Sequence, residues 1–308
     1  MTTVVNVPPS LDDQSFEDVL RQLAPLSADA KILIDTRHVR WASPYGLVAL
    51  LTLAQSRPER MSLAVPDLEE TASYWARAGF FRQAEELYDL HGVYPKRVGA
   101  GAADSNVLLE ITAVGKSEDV HDVVGRIQQK AQLMLRDLQL DAKATVGFAM
   151  TLSEVCQNVV EHAGRGGWVM VQTYRWTKRL GRRVVVIAVA DAGVGFRQSL
   201  ESAPGKEHSD RWDDAAALED AVIRGASRFR DPGRGQGLAG VRRYLGRWEG
   251  KLAVRSGTAR IAIVPNWDDD VPLAEHLPPF PGAQVQVTIP ERSTQPTSPH
   301  GRGGAAQR

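Results

Sequence analysis

The chain has 308 residues, 37 lysines and arginines against 37 aspartates and glutamates, one cysteine, and 43% apolar side chains. That length allows about two domains of ordinary size, and zero formal net charge removes any global attraction for nucleic acid or an acidic membrane. Cys156 alone builds neither a disulfide framework nor a cysteine-based zinc site. The longest near-apolar stretch, Leu47 to Ala54, is far short of the ~20 residues that span a bilayer, and Met1-Thr2-Thr3 does not begin a signal peptide. A cytoplasmic protein with no membrane or nucleic-acid partner is expected.

The first ~90 residues alternate strand-like and helix-like segments, the pattern of a sheet covered by helices. Val4 to Val7 predicts a strand, Asp12 to Leu23 a helix, and Ile32 to Asp35 a buried strand. Ser43 before Pro44 predicts an N-cap and a first-turn proline opening an apolar helix to about Ala54. Met61 to Val65 predicts another strand, and Asp67 is expected to cap a helix that Gly79 stops. The small, glycine-bearing residues 98–105 predict a linker between a first domain, 1–97, and a second, 106–290.

The second region predicts a strand (Val107 to Ala113), helices over Ser117 to Leu138 and Ala142 to Ala163, and strands over Trp168 to Thr173 and Val184 to Ala190. A long polar segment, a helix from Gly237 to Trp248 and three more strands ending at Ile289 follow, the last preceded by a Pro- and Asp-rich insertion, Pro265 to Pro281, expected as a surface loop. Residues 291–308 cannot bury enough apolar area to order themselves and are expected to be a disordered tail.

Three separated signals carry chemistry. On the Ala142 helix, Phe148, Leu152, Val155 and Val159 face the core, while Glu154, Asn158 and His162 form a polar stripe beside them at i, i+4, i+8 spacing. A carboxylate and an amide one turn apart suit a magnesium and water site, although the spacing taken alone favours a solvated polar face. Val184 to Ala190 runs into Asp191-Ala192-Gly193-Val194-Gly195, which places a carboxylate at the end of a central strand before a tight turn. Gly233-Arg234-Gly235-Gln236-Gly237-Leu238 opens a helix whose first amides are free to bind an anion. Ser227 to Arg247 holds six arginines against one aspartate, so phosphate is the obvious anion.

In this order and spacing the signals resemble the GHKL ATPase superfamily, whose Bergerat fold is shared by gyrase-type ATPases, histidine kinases and the serine kinases that act as anti-sigma factors. The resemblance covers about Asn106 to Pro290. It implies Glu154 as general base or water-orienting residue, Asn158 as magnesium ligand and Asp191 as acceptor for the adenine amino group. It implies Gly193 and Gly195 shaping the adenine pocket, and Arg234, Gly235, Gly237 and Leu238 around the phosphates, under a lid spanning Arg197 to Pro232. Where the family usually has Gly-Thr on its last strand, this chain has Gly282-Ala283-Gln284. The first domain resembles a STAS domain, the fold of anti-sigma factor antagonists, through Ile32 to Asp35 and Trp41 to Leu47. Tyr45 stands where the antagonists carry their phosphorylated serine, and Ser43 is explained as a cap.

The fold expected is therefore α/β with two domains: a STAS-like mixed sheet with helices, then a Bergerat α/β sandwich. The function implied is an ATP- and Mg2+-binding regulatory protein that phosphorylates a serine or threonine of a STAS-type antagonist, or acts on a sigma factor, with room for a homodimer. The alternatives are a nucleotide-sensing binding module without phosphoryl transfer and a slow ATPase. His121 is expected at the surface, His162 without a role, and Cys156 buried.

Overall fold

The structure, a computed structural model, describes residues 2–96, 107–126, 142–164, 166–176, 180–202, 212–226 and 237–291. The amino-terminal unit runs β1 (Thr3–Asn6), β2 (Ser10–Leu11), α1 (Phe16–Leu23), β3 (Ile32–Asp35), β4 (Trp41–Ala42), α2 (Pro44–Ser56), β5 (Met61–Ala64), α3 (Glu69–Arg77), α4 (Phe80–Leu87) and β6 (Tyr88–His91). Its sheet has the order β1-β3-β5-β6. Every neighbouring pair in it is parallel, which corrects the expectation of a mixed sheet. The cause is connectivity: each step between neighbours passes through a helix, and a helical crossover returns the chain in its original direction. Leu68, which has no side-chain acceptor, caps α3 in place of the expected Asp67.

Ser43 caps α2 as expected, its hydroxyl accepting the Gly46 amide at 3.1 Å, with Pro44 in the first turn. The helix is apolar around its whole circumference, and every residue from Pro44 to Ala54 is buried. A helix with no polar stripe must be covered on all sides, and the cover on one side comes from the second half of the chain.

That half runs β7 (Val107–Val114), α5 (117–126), α6 (Ala142–Asn158) continued by a π-helical turn (Val159–Ala163), β8 (Gly167–Trp176), β9 (Arg182–Asp191) and α7 (Gly195–Glu201). Then come α8 (Asp214–Glu219) with its own π-helical turn (Asp220–Arg224), α9 (Gly237–Gly246), β10 (Lys251–Gly257), β11 (Ala259–Ile263), β12 (Leu273–Ala274) and β13 (Phe280–Pro290). The predicted linker, the second half of the Ser117 helix and the tail beyond Glu291 lie outside the described residues. The strands form a seven-stranded antiparallel sheet, β12-β11-β10-β13-β9-β8-β7.

Alternation along these strands gives the sheet two covered faces. Val185, Ile187 and Val189 of β9 join Leu152 and Val155 of α6 and Leu238 and Val241 of α9 in one core. Ala188 and Ala190, with Trp168 and Met170 of β8, face the other way into a core shared with α2. Small alanines let α2 lie close against β8, β9 and β13. The seam also holds buried ion pairs: Arg255 with Glu17, and Arg260 with Asp13 at 3.2 Å. At its edge Tyr74 donates to Gln172 at 2.6 Å, and the Ile111 amide donates to the Ala78 carbonyl at 2.8 Å.

The Pro265 to Pro281 insertion runs over the surface as expected, but it is anchored to the sheet. The side chains of Asp268 and Asp270 are buried and each pairs with Lys251 at 2.8 Å, while Asp270 also pairs with Arg260. Burial would raise the Asp270 carboxyl, but hydrogen bonds from Arg260 and Lys251 outweigh it and hold the group at about 2. The aspartates that read as a solvated loop in sequence are the counter-charges of two cations on the sheet.

Because one core joins both units, Leu51→Ala should destabilise the whole chain by about 2–5 kcal/mol, the usual cost of truncating a fully buried leucine. Thermal unfolding followed by far- and near-ultraviolet circular dichroism should show one transition moving down. Two separated transitions, with only one shifted, would contradict a common core.

Candidate functional site

Asp191 ends β9 directly between Gly167 of β8 and Ala283 of β13. It continues the Val185, Ile187, Val189 series, so its side chain enters the cleft on the helical face and not the seam. The Gly193 amide donates to Oδ1 at 2.8 Å, and the Ala283 amide also donates to the carboxylate. Burial dominates even so, and pushes the carboxyl up to about 7. A carboxylate offers about four acceptor positions, so two amides leave room for an N–H donor from a ligand.

The turn after Asp191 closes tightly on the end of α6. A Cβ on Gly193 would lie 2.3 Å from the Ala163 Cα, so no other residue fits there without moving backbone. Phe148, Leu152, Val155 and Val159 face the core as the spacing predicts, and Cys156 is fully buried with its thiol pushed up to about 12 by desolvation. Glu154 and Asn158 line a cavity of 760 Å³ that Asp191 also lines.

After Asn158 the helix widens into the π turn, a distortion often found beside functional sites. Glu161 borders the cavity, where Gln157 donates to it at 2.9 Å, and the His162 side chain lies outside the described residues. Glu161 stood seven residues after Glu154 and could have been found by extending the stripe at i+7.

The start of α9 forms the opposite wall with Gly237, Leu238 and Ala239. The Gly237 amide donates to the Glu154 carboxylate. Glu154 thus holds the position an anion would take at the positive end of this helix. Burial, and after it the charge of Glu161, raise the Glu154 carboxyl above its ordinary value, while the Gly237 amide opposes them. Arg224 and Arg243 border the same cavity. Arg228, Arg230, Arg234 and Gly235 lie outside the described residues.

The roof is built by residues that the sequence reading left in a polar segment. Phe196 and Leu200 of α7 and Ala221 of the second π turn close over the cleft. Ala215, Leu218 and Val222 sit in the main core, so within the expected lid the segment 214–224 is packed against the rest of the domain. Hydrogen exchange without nucleotide should show this segment protected; exchange as fast as in an unfolded peptide would contradict its packing.

Gly195 and Ala283 complete the Asp191 end of the cavity. Ala283 brings no hydroxyl, and the hydroxyl of its cross-strand neighbour Ser256 is committed: it donates to the Gly282 carbonyl at 2.7 Å and accepts the Phe196 amide at 3.1 Å. His121 and Ser117 of α5 stand exposed at the rim.

The cavity volume lies in the usual range for small-molecule sites. It has a buried acceptor at one end, and a helix start flanked by cations at the other. A purine nucleotide presents the complementary sequence of amino group, ring and anionic phosphates. Among the described residues no group of three or more His, Cys, Asp or Glu could hold a metal ion. Asn158 fits a magnesium whose remaining ligands are phosphate oxygens and water, the usual arrangement for that ion.

Residues 118–243, about two fifths of the chain, match the family model of the histidine kinase-like ATPase domain. Domains of this GHKL type bind ATP, usually with magnesium. No curated protein matches the chain at a significant level. Among the described residues no helix is long and apolar enough to cross a membrane.

Proposed function

We propose that the histidine kinase-like ATPase domain is the catalytic half of a regulatory protein serine/threonine kinase, resembling the anti-sigma kinases and acting in the cytoplasm. One observation carries the reading: Asp191, Glu154, Asn158 and Gly237 line a single cavity within a region matched to an ATP-binding family. In this reading Asp191 accepts the adenine amino group, Gly193 and Gly195 let the backbone approach the base, and the Gly237 and Leu238 amides take the phosphates, with Arg234 and Gly235 beside them. Glu154 leaves the α9 start when phosphate arrives and takes the proton of the attacking hydroxyl. Asn158 would hold magnesium, which neutralises charge between the phosphates.

The amino-terminal unit, 1–97, is read as STAS-like, and the phosphate acceptor belongs to another chain. Ser43 is 2% and Tyr45 3% exposed, so neither hydroxyl can reach a kinase site without the core opening. A STAS-type antagonist or a sigma factor is the partner class this implies, and a homodimer is compatible with it. A second reading, a nucleotide-sensing binding module, draws on the Glu154–Gly237 contact, through which nucleotide could rearrange the site without any transfer.

Incubating the full chain with γ-labelled ATP, Mg2+ and candidate STAS proteins should move label onto partner protein. Label released only as phosphate would establish a slow ATPase. Label retained in nucleotide, with partner binding still dependent on ATP, would establish the binding module.

A further inference from the structure

Arg255 and Ser256 are neighbours on β10, and alternation sends them to opposite faces of the large sheet. Arg255 enters the seam. It is 1% exposed and grips Glu17 of α1 with two donors, Nε to Oε1 at 2.5 Å and Nη2 to Oε2 at 3.1 Å. It donates as well to the carbonyls of Gly257, at 3.0 Å, and Pro278. Its guanidinium lies 5.6 Å over the Phe280 ring, and Phe280 packs on Phe16 at 5.5 Å. Together the Glu17 fork and the Phe280–Phe16 contact hold the start of β13 against the amino-terminal unit, while the Gly257 and Pro278 carbonyls fix the guanidinium between them.

The next residues of β13 are the bed of Asp191. Gly282 has φ +76, and a Cβ there would lie 2.0 Å from the Asp191 carbonyl and 2.7 Å from its Oδ1. The Ala283 amide holds the Asp191 carboxylate, and Gln284 Nε2 donates to the Asp191 carbonyl at 3.3 Å. Ser256 ties the Gly282 carbonyl to the Phe196 amide under the roof. The segment Phe280 to Gln284 is therefore gripped by the amino-terminal unit at one end and aims the Asp191 carboxylate at the other.

We propose that Arg255 and Glu17 are positioning residues for nucleotide recognition, through which the amino-terminal unit sets how strongly the site discriminates a purine carrying an amino group from one carrying a carbonyl. The inference rests on the reading of Asp191 as the acceptor for that amino group. An arginine–carboxylate fork is suited to this task because its planar, two-point geometry specifies orientation as well as attraction. An apolar pair of similar volume would hold the units together but would not fix the angle. Coupling of this kind is reciprocal, so adenine nucleotide also tightens the seam.

The test compares ATP with inosine triphosphate, which carries a 6-carbonyl and an N1–H where ATP has the amino group and an N1 acceptor, by calorimetry on the full chain with Mg2+. The variants are Glu17→Gln and the double Glu17→Leu/Arg255→Met, the latter leaving no unpaired buried charge and so retaining the fold; circular dichroism checks both. In each folded variant ATP affinity should fall about three- to tenfold, with inosine triphosphate changed less than about twofold. Equal weakening of the two nucleotides, or a wild-type preference kept undiminished in the folded double variant, overturns the positioning role and leaves Asp191 in place. A wild type that binds both nucleotides equally overturns the Asp191 reading, and the positioning role with it.

Discussion

Asp191→Asn should stabilise the protein at pH 8 while weakening its hold on ATP. The carboxyl titrates at about 7 in the folded chain, against 3.8 for an ordinary aspartate, because burial disfavours its charge. Below about pH 4 the group is neutral whether folded or unfolded and costs nothing. From there to pH 7 the unfolded chain ionises first, so stability falls as pH rises, and above pH 7 the full penalty persists. At 1.36 kcal/mol per pKa unit the penalty is roughly 4 kcal/mol. Asparagine carries no charge to bury, so the midpoint of thermal unfolding should rise at pH 8 and change little at pH 4.5. Affinity should move the other way by about 10- to 100-fold, because a charged acceptor is replaced by a neutral amide that can turn a donor towards the purine. Melting curves at the two pH values, with calorimetry at pH 8, check both halves. A midpoint gain equal at both pH values would remove the titration argument, and unchanged ATP affinity would remove Asp191 from the adenine end.

If the chain transfers phosphate as proposed, Glu154→Ala should depress that transfer by about 10²- to 10⁴-fold, the usual contribution of a positioned general base. Its effect on ATP binding should be neutral or favourable. The carboxylate accepts the first amide of α9 and so competes with phosphate for the same helix start. Removing it leaves that amide free for the nucleotide. Asn158→Ala should behave differently, weakening magnesium-dependent affinity and turnover together. Single-turnover rates and affinities measured on both variants separate the two roles. A large loss of ATP affinity in Glu154→Ala would mean that the carboxylate serves binding, and would count against it as the base.

Much of the fold, including the elements that carry the candidate site, was legible because those elements follow strong local rules. Ile32–Asp35 and the core of β9 are apolar runs bounded by turns, Ser43-Pro44 opens α2, and Gly237 opens α9. The failures have identifiable causes. Gly79, in a left-handed conformation with φ +79, ends α3 and at once begins α4, so a glycine read as a stop was a bend between two helices. The helices α7 and α8 are short and lie in a polar stretch, where six or seven residues give too little periodicity to read.

The seam was hidden for a different reason. Lys251 and Arg255 alternate with apolar residues on β10 as a solvent-facing row would, yet they are 4% and 1% exposed. Their partners Asp268, Asp270 and Glu17 lie 17, 19 and 238 residues away in sequence. Local patterning cannot distinguish a solvated charge from one that meets a counter-charge from a distant segment.

The apolar circumference of α2 has a consequence for how the chain is made. The helix leaves the ribosome well before β8, β9 and β13, the strands that cover it, have been synthesised. Until then the face later covered by Ala188, Ala190 and Met170 is bare to water, and its residues Leu47 to Leu53 can associate with any other apolar surface. Synthesis therefore passes through a stage at which this apolar segment is without its native cover, and the long-range contacts that cover it are of the kind that form slowly. Circular permutation that brought residues 166–291 ahead of residue 2 would place the strands that cover α2 before it in the order of synthesis.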